Sequence, residues 1–428
     1  MRNNCAVALP VLALALVLAG SGCSSQTTCS SNQTLCGGEC TSLQSDALNC
    51  GACGTKCGTG KGCSLGACVA CGENGAGCEA AVLAACFNAN QVIAFDSSLV
   101  EVGAPVATSK GPGSFVSHDG TTYVLDSTGG DVEQVTPPTG TAIASIPGGS
   151  YNDLQHIAAY ANLLYVSNSA VGSFVAVDPV SKKVVDEVSL SVNNDTPNPL
   201  GFDFANKKAY VALAAGVGSS PNGLAVVDLS VAPPWKTKPS VKRIDLSPFA
   251  FSTSVNPGVS DVRAAADGVH LYVTMNDLYD ASFNPVSGAN GKLVVIDSIT
   301  DSVVGNAAVD LPNCLDAGAM ALSGNTLWIA CGYTVFNSTF TAVTGVGGAL
   351  QPVNVSGATP VPGTAIPVAN HAVGAVTICG SQGYAGASDS GALFSFDPTS
   401  NAAPAVNATA CPASSSGFAA VFDVACAL

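Results

Sequence analysis

The residues able to do chemistry in this chain are few and scattered. Four histidines, His118, His156, His270 and His371, lie far apart, and none forms the His-Glu-x-x-His pair of a zinc hydrolase. Gly111-Pro112-Gly113 carries only a failed form of the Gly-x-Ser-x-Gly nucleophile turn. Gly345-Val346-Gly347-Gly348 lacks the Gly-Lys-Ser/Thr ending of a phosphate loop, so its glycines read as loop residues. What recurs is a set of polar lead-ins to apolar stretches: Asn152 and Asp153, Asn198, Asn256 and Asp261, Asn313 and Asp316, and Asn370 with His371. Carboxylate and amide oxygens gathered from such segments suit calcium or a small polar molecule. Taken singly, each also reads as an ordinary turn cap.

Cysteine supplies the other chemistry. Of 18, eight fall at positions 29, 36, 40, 50, 53, 57, 63 and 68. Cys50-x-x-Cys53 has a zinc-like spacing, but no histidine stands near, and outside the cytoplasm oxidised pairs are favoured. A segment this short cannot bury an adequate core and needs cross-links. The spacing leaves their connectivity open.

The scattered polar residues must be positioned by residues 79–428, where one pattern repeats. An apolar tag appears as Leu83-Ala84-Ala85-Cys86, Tyr123-Val124-Leu125-Asp126, Tyr165-Val166-Ser167-Asn168 and Tyr210-Val211-Ala212-Leu213. It continues as Tyr272-Val273-Thr274-Met275, Trp328-Ile329-Ala330-Cys331 and Tyr384-Ala385-Gly386-Ala387. Successive tags stand 40, 42, 45, 62, 56 and 56 residues apart. Each is followed by a turn and a second strand, five of which end in Asp96, Asp178, Asp228, Asp297 and Asp397. Leu350 to Asn354 is the weakest of these because Pro352 interrupts it. A strand also precedes the tag, joined to it by turns such as Asp119-Gly120 and Asp267-Gly268. Four short antiparallel strands repeating at about 40–45 residues are the mark of propeller blades.

Six pre-tag strands lie inside the array, and the tag at Leu83 has none. The chain ends with a spare strand, Phe418 to Val424, which would complete the first blade and leave no open edge. The expected fold is therefore all-β: a seven-bladed β-propeller over 79–428, closed by the C-terminal strand, behind a small disulfide-rich segment. Counting back nine residues from the tag tyrosines puts His156 and Arg263 at equivalent places facing a central channel. The expected ligand-binding set at the channel mouth is Asp153, His156, Asn198, Asp261, Arg263, Asp316 and His371. Lysine is nearly absent there, which favours a cation or a neutral polar molecule. Cys314 leads into an inner strand and Cys331 ends its hairpin partner, and Cys86 and Cys411 hold the same relative places across the ring closure. Cys314–Cys331 and Cys86–Cys411 are the pairs that follow, with Cys78–Cys426 the first expectation among Cys71, Cys78, Cys379 and Cys426.

Composition narrows the function classes. Lys and Arg total 14 against 29 Asp and Glu, a net charge of −15. That excludes an electrostatic nucleic-acid binder. With 47% hydrophobic and only 10% charged residues, disorder is excluded too. Arg2, the apolar run Ala6 to Ala19 and the small residues after it form an export signal over 1–22. The run is short of the roughly 20 residues of a membrane span, and Pro10 weakens it further.

Gly20-Ser21-Gly22-Cys23 resembles a bacterial lipoprotein cleavage site. The resemblance implies lipidation of Cys23, a linker over 23–28 and, from Ser24, outer-membrane sorting; ordinary cleavage and secretion is the alternative. Residues 29–71, with Leu35-Cys36-Gly37-Gly38-Glu39-Cys40 and Asn49-Cys50-Gly51-Ala52-Cys53-Gly54, resemble a Cys-rich repeat of extracellular myxobacterial proteins and read as a disulfide stalk. The tags at Tyr165 and Tyr272, with Asp178-Pro179-Val180-Ser181, resemble the YVTN-type β-propeller repeat family over roughly 79–428. Members of the wider fold bind ligands, bind proteins or act as lactonases, so the fold leaves function open. The expectation is a monomeric cell-envelope lipoprotein, membrane-bound through its lipid alone, whose propeller binds an unknown protein or small polar ligand. It has no catalytic residue and no cofactor, calcium being the one left open, and nucleic acid is not a partner. The rival is a lactonase-like hydrolase with a divalent metal ion in the channel.

Overall fold

The computed structural model describes residues 29, 33–36, 39–44, 49–57, 61–70, 80–135, 140–146, 153–214, 222–250, 258–276, 286, 290–336, 343–413 and 419–427. The signal segment, Cys23, Cys71, Cys78, Asn152 and Asn256 lie outside the described residues.

Seven antiparallel sheets form the blades of the propeller. Blade 1 takes its innermost strand, Val421–Cys426, from the chain's end and continues outward through Val82–Cys86, Gln91–Phe95 and Val106–Ala107. The innermost strands of blades 2 to 7 are Pro112–His118, Leu154–Tyr160, Pro199–Ala205, Val259–Ala264, Ala317–Ser323 and Val373–Cys379, and in each blade the later strands follow in chain order. The tags are the second strands. They are apolar runs rather than alternating patterns because both faces are covered: one cluster joins Tyr210, Leu224 and Val226 of blade 4 to Val262, Leu271 and Val273 of blade 5. Burying each such side chain is worth about 1.5–3 kcal/mol, which makes blade-on-blade packing the main stabilising term.

Every inner strand carries a register shift two to three residues before the position opposite the tag's first residue. A bulge of this kind releases a backbone N–H from the ladder and re-aims a side chain. Blade 6 is the outlier, with second and third strands of 11 and 12 residues, Thr326–Phe336 and Val343–Asn354. Pro352 does not break the latter. It pairs opposite Trp328, and its missing N–H falls where the outermost strand is itself split into Val361–Pro362 and Ile366–Val368. Gly345 to Gly348 lie in this strand, not in a loop.

Among the described residues there are seven disulfides, which place the protein in an oxidising compartment, extracellular or periplasmic. Four knit the N-terminal segment: Cys29–Cys40, Cys36–Cys53, Cys50–Cys63 and Cys57–Cys68. Its only buried hydrophobic side chains among those described are Cys50 and Cys63, so the bridges stand in for a core. The propeller contains Cys314–Cys331 and Cys86–Cys411, as their places in the repeat require. The Cys78–Cys426 expectation is corrected, since Cys426 is bonded to Cys379. Both lie on inner strands that meet where the ring closes, a neighbourhood that counting from the chain ends does not reveal. No helix among the described residues is long and apolar enough to cross a membrane.

Candidate functional site

The inner strands surround a cavity of about 710 Å³ lined by residues of all seven blades. The bulges govern its chemistry. Ser114, His156, Asp261 and Asp423 all sit at the residue two before the one paired with the tag's first position. Three of them reach the next blade and accept the N–H that its bulge has freed. Phe115 N–H donates to Asp423 Oδ2 at 2.9 Å, Met320 N–H to Asp261 Oδ2 at 3.0 Å, and Ile157 N–H to Ser114 Oγ at 3.4 Å. His156 instead puts Nδ1 3.0 Å from Ser114 Oγ and lies edge-on to Phe202 of blade 4. Asp203, two positions further along its strand, accepts Ala264 N–H at 2.8 Å. In the same layer the tag hydroxyls Ser167 and Thr274 donate across to the carbonyls of Leu200 and Gly318, at 2.7 and 2.9 Å. The Ser/Thr of the tag is thus a blade-to-blade tie.

Three of the seven expected site residues, His156, Asp261 and Arg263, line this cavity; Asp153, Asn198, Asp316 and His371 are not among its lining. Asp153 accepts from Gln155 Nε2, and Asn198 offers its backbone carbonyl to Ala214 N–H at 3.0 Å. Burial pushes the Asp316 carboxyl up to about 7, with Asn276 as its hydrogen-bond partner. His371 Nδ1 lies 2.9 Å from Ser390 Oγ and 3.8 Å from Asp389. The equivalence of His156 and Arg263 is corrected. Tyr165 pairs with Ala158 but Tyr272 with Arg263, because blade 3 turns on Ala161-Asn162 alone while blade 5 uses a longer loop. His156 aligns with Asp261.

Asp203 and Asp423 are the lining carboxylates that sequence reasoning missed. A signal existed: each is an Asp inside an otherwise apolar inner strand, Phe202-Asp203-Phe204 and Phe422-Asp423-Val424. Burial raises the Asp423 carboxyl to about 6 and raises Asp261 as well, each partly offset by Arg263 and backbone N–H donors. Burial, reinforced by nearby Arg263, lowers His156 to about 4, so its ring is neutral at physiological pH. Arg263 donates from Nη2 to the Met320 carbonyl at 2.8 Å, while among the described residues its buried Nε–H has no partner and no carboxylate lies within 4.0 Å of it.

A metal would need several donors close together. Among the described residues the only trio of candidate ligand atoms within 4.8 Å is Cys50, Cys57 and Cys68 of the N-terminal segment, and those sulfurs are in disulfides. The channel carboxylates stay apart because each is bound to a different blade seam. They do not fit a divalent ion as a ready set.

No family model matches the chain, and no curated protein matches it. Among solved structures it is similar to a hypothetical selenium-binding protein from Sulfolobus tokodaii, with TM-score 0.53 and 10% identity over 82% of this chain and 93% of that one. It is similar to a protein from Lactobacillus plantarum at TM-score 0.52 and 12% identity, over 82% of this chain and all of the other. Virginiamycin B lyase from Staphylococcus aureus superposes at TM-score 0.48 and 11% identity, over 69% and 83%. At such identities the likeness is one of fold alone.

Proposed function

We propose that this is an exported, lipid-anchored protein whose propeller is a binding module without catalysis, taking a small polar ligand into the channel. The observation that carries the reading is Arg263: a guanidinium in the wall of a cavity of about 710 Å³, fixed by its Nη2 bond to the Met320 carbonyl and, among the described residues, without a carboxylate within 4.0 Å. A cation without a counter-charge in a cavity wall favours a ligand that brings an acceptor oxygen. The nearby carboxylates already accept backbone N–H groups, so the ligand's share of the bonding falls to Arg263, His156 and the hydroxyls. An organic molecule presenting a carbonyl or carboxylate oxygen suits this wall better than calcium does. The hydrolase alternative draws on Asp423, raised to about 6, as an acid in the same cavity wall as neutral His156, but among the described residues it lacks a convergent metal set or an activated nucleophile.

The test is thermal-shift screening of the full chain against small carboxylates, amino acids, lactones and sugars. A stabilising compound whose effect vanishes in Arg263→Ala supports the reading; stabilisation indifferent to Arg263→Ala contradicts it. Saturable lactone hydrolysis would establish the enzyme alternative. For the anchor, a fatty-acid analogue should label wild-type cells and not Cys23→Ser, and equal labelling of both refutes lipidation.

A further inference from the structure

Away from the channel, a second cavity of about 440 Å³ opens on blade 6, between the links that join it to blades 5 and 7. Three asparagines line it from three different segments: Asn290 ahead of blade 5's third strand, Asn313 ahead of blade 6's inner strand and Asn370 ahead of blade 7's. Tyr333, on the outer half of the long blade-6 strand, completes the polar lining. No hydrogen bond inside the protein is made by any of these four side chains among the described residues. A left-handed backbone explains an asparagine at 313 and 370, where φ is 68° and 63°. It does not explain Asn290, which has no such φ and is half-buried, whereas Asn313 and Asn370 are exposed at the groove.

The glycines singled out in the sequence, Gly345 to Gly348, belong to the wall. A Cβ on Gly348 would lie 2.6 Å from the His371 carbonyl, and one on Gly332 would lie 2.3 Å from Val373 N, so both are needed for the hairpin to press backbone-on-backbone against blade 7. Gly347 pairs with Tyr333, and a Cβ there would meet the phenol at 2.8 Å, so the ring lies on the glycine. Cys314–Cys331 fixes the floor, joining the lead-in that carries Asn313 to the strand that carries Tyr333. Blade 6 is extended, cross-linked and glycine-fitted where the groove stands.

Among the described residues no charged side chain lines the groove. A charged ligand would therefore lose hydration without a counter-charge. Amides offer a donor and an acceptor each, and an aromatic face packs against C–H groups. We propose that this groove is a second ligand site, for a neutral, hydroxyl-rich molecule of the saccharide class. It stands independently of the channel reading.

The experiment is isothermal titration of the full chain with cellotriose, maltotriose and N,N′-diacetylchitobiose, with trigalacturonic acid as the charged control. At least one neutral probe should bind at a few mM or tighter, and the acidic trimer should bind at least tenfold more weakly. Tyr333→Ala and Asn313→Ala should each weaken binding about fivefold or more, and Arg263→Ala should leave it unchanged. Asn290→Asp, which preserves shape and adds a charge, should also weaken it and serves if the other variants fail to fold. No neutral probe binding at about 10 mM, or binding indifferent to Tyr333→Ala and Asn290→Asp, overturns the proposal. Loss of binding in Arg263→Ala would assign the sugar to the channel, and also overturns it.

Discussion

The seam between blades 7 and 1, where the ring closes, is built differently from the other six. Between blades 1 and 2, 2 and 3, 4 and 5, and 5 and 6, one inner-strand oxygen accepts a backbone N–H of the next blade. Blades 3 and 4 are tied by Ser167, and blades 6 and 7 by the close approach of Gly332 and Gly348. At the seam between blades 7 and 1 the tie is covalent, with Cys379–Cys426 across the inner strands and Cys86–Cys411 further out. A connecting segment joins each blade to the next, and blade 7 to the strand Val421–Cys426, but the rest of blade 1 is held to blade 7 through the pairing of that strand with Val82–Cys86 and through Cys86–Cys411. There the cost of closing a loop of 325 residues must be met separately, and a disulfide does so by restricting the unfolded chain. Single hydrogen bonds suffice only where covalent continuity has done most of the work.

The largest effect expected is therefore at that seam. Replacing Cys86 and Cys411 by Ser should lower stability by about 5–6 kcal/mol in the loop-entropy picture, read from urea midpoints under non-reducing conditions. A loss no greater than that from removing a polar tie would erase the contrast. Next comes Asp261→Ala, which strips the acceptor from the N–H groups of Val262 and Met320 and should cost about 1–3 kcal/mol. Asp261→Asn, which keeps an acceptor oxygen, should cost less.

Titration sharpens the same contrast, because the polar ties depend on pH and the disulfides do not. Burial holds Asp126 and Asp316 up at about 7 and Asp423 at about 6, with the neighbouring Glu133 adding to the effect on Asp126. The folded protein keeps protons there that the unfolded chain releases above about pH 4. Their stabilising contribution is full below that pH and is lost as the pH rises through about 6–7. His156, neutral down to about 4, acts oppositely between about pH 4 and 6.5, where only the unfolded chain takes its proton. Three groups against one leave stability falling from about pH 4.5 to 7. In Asp126→Asn the slope should be shallower, since the amide can donate without a titrating proton while Lys110 N–H and Ser109 still hold this carboxyl pair to the linker before blade 2. An unchanged slope would show that Asp126 is ionised in the folded protein over this range.

The ring, its closure and the two pairs Cys86–Cys411 and Cys314–Cys331 were legible because each depends on the order of elements, which the repeat exposes. The wall of the channel was not. Asp203 and Asp423 look like interruptions of apolar strands until the bulge shows that their side chains turn toward the next blade. Arg263 was found for a reason that fails, since counting from Tyr272 assumes equal hairpin loops, and only pairing register reveals that Asp261 and not Arg263 matches His156. The lead-in asparagines were visible in the sequence, but two of them, Asn313 and Asn370, line the groove on blade 6 instead of the channel. Which polar groups converge depends on blade tilt and loop length, and neither is written in residue spacing.

The central claim is that the channel carboxylates hold the ring and leave Arg263 to a ligand. Measuring stability and ligand binding together on Asp261→Asn and Arg263→Ala tests it most directly, using the compound that most stabilises the wild type. Asp261→Asn should lose stability and retain binding to within a few-fold; Arg263→Ala should stay within about 1 kcal/mol of wild type and lose binding tenfold or more. The opposite pattern, with binding lost in Asp261→Asn and kept in Arg263→Ala, would contradict the account.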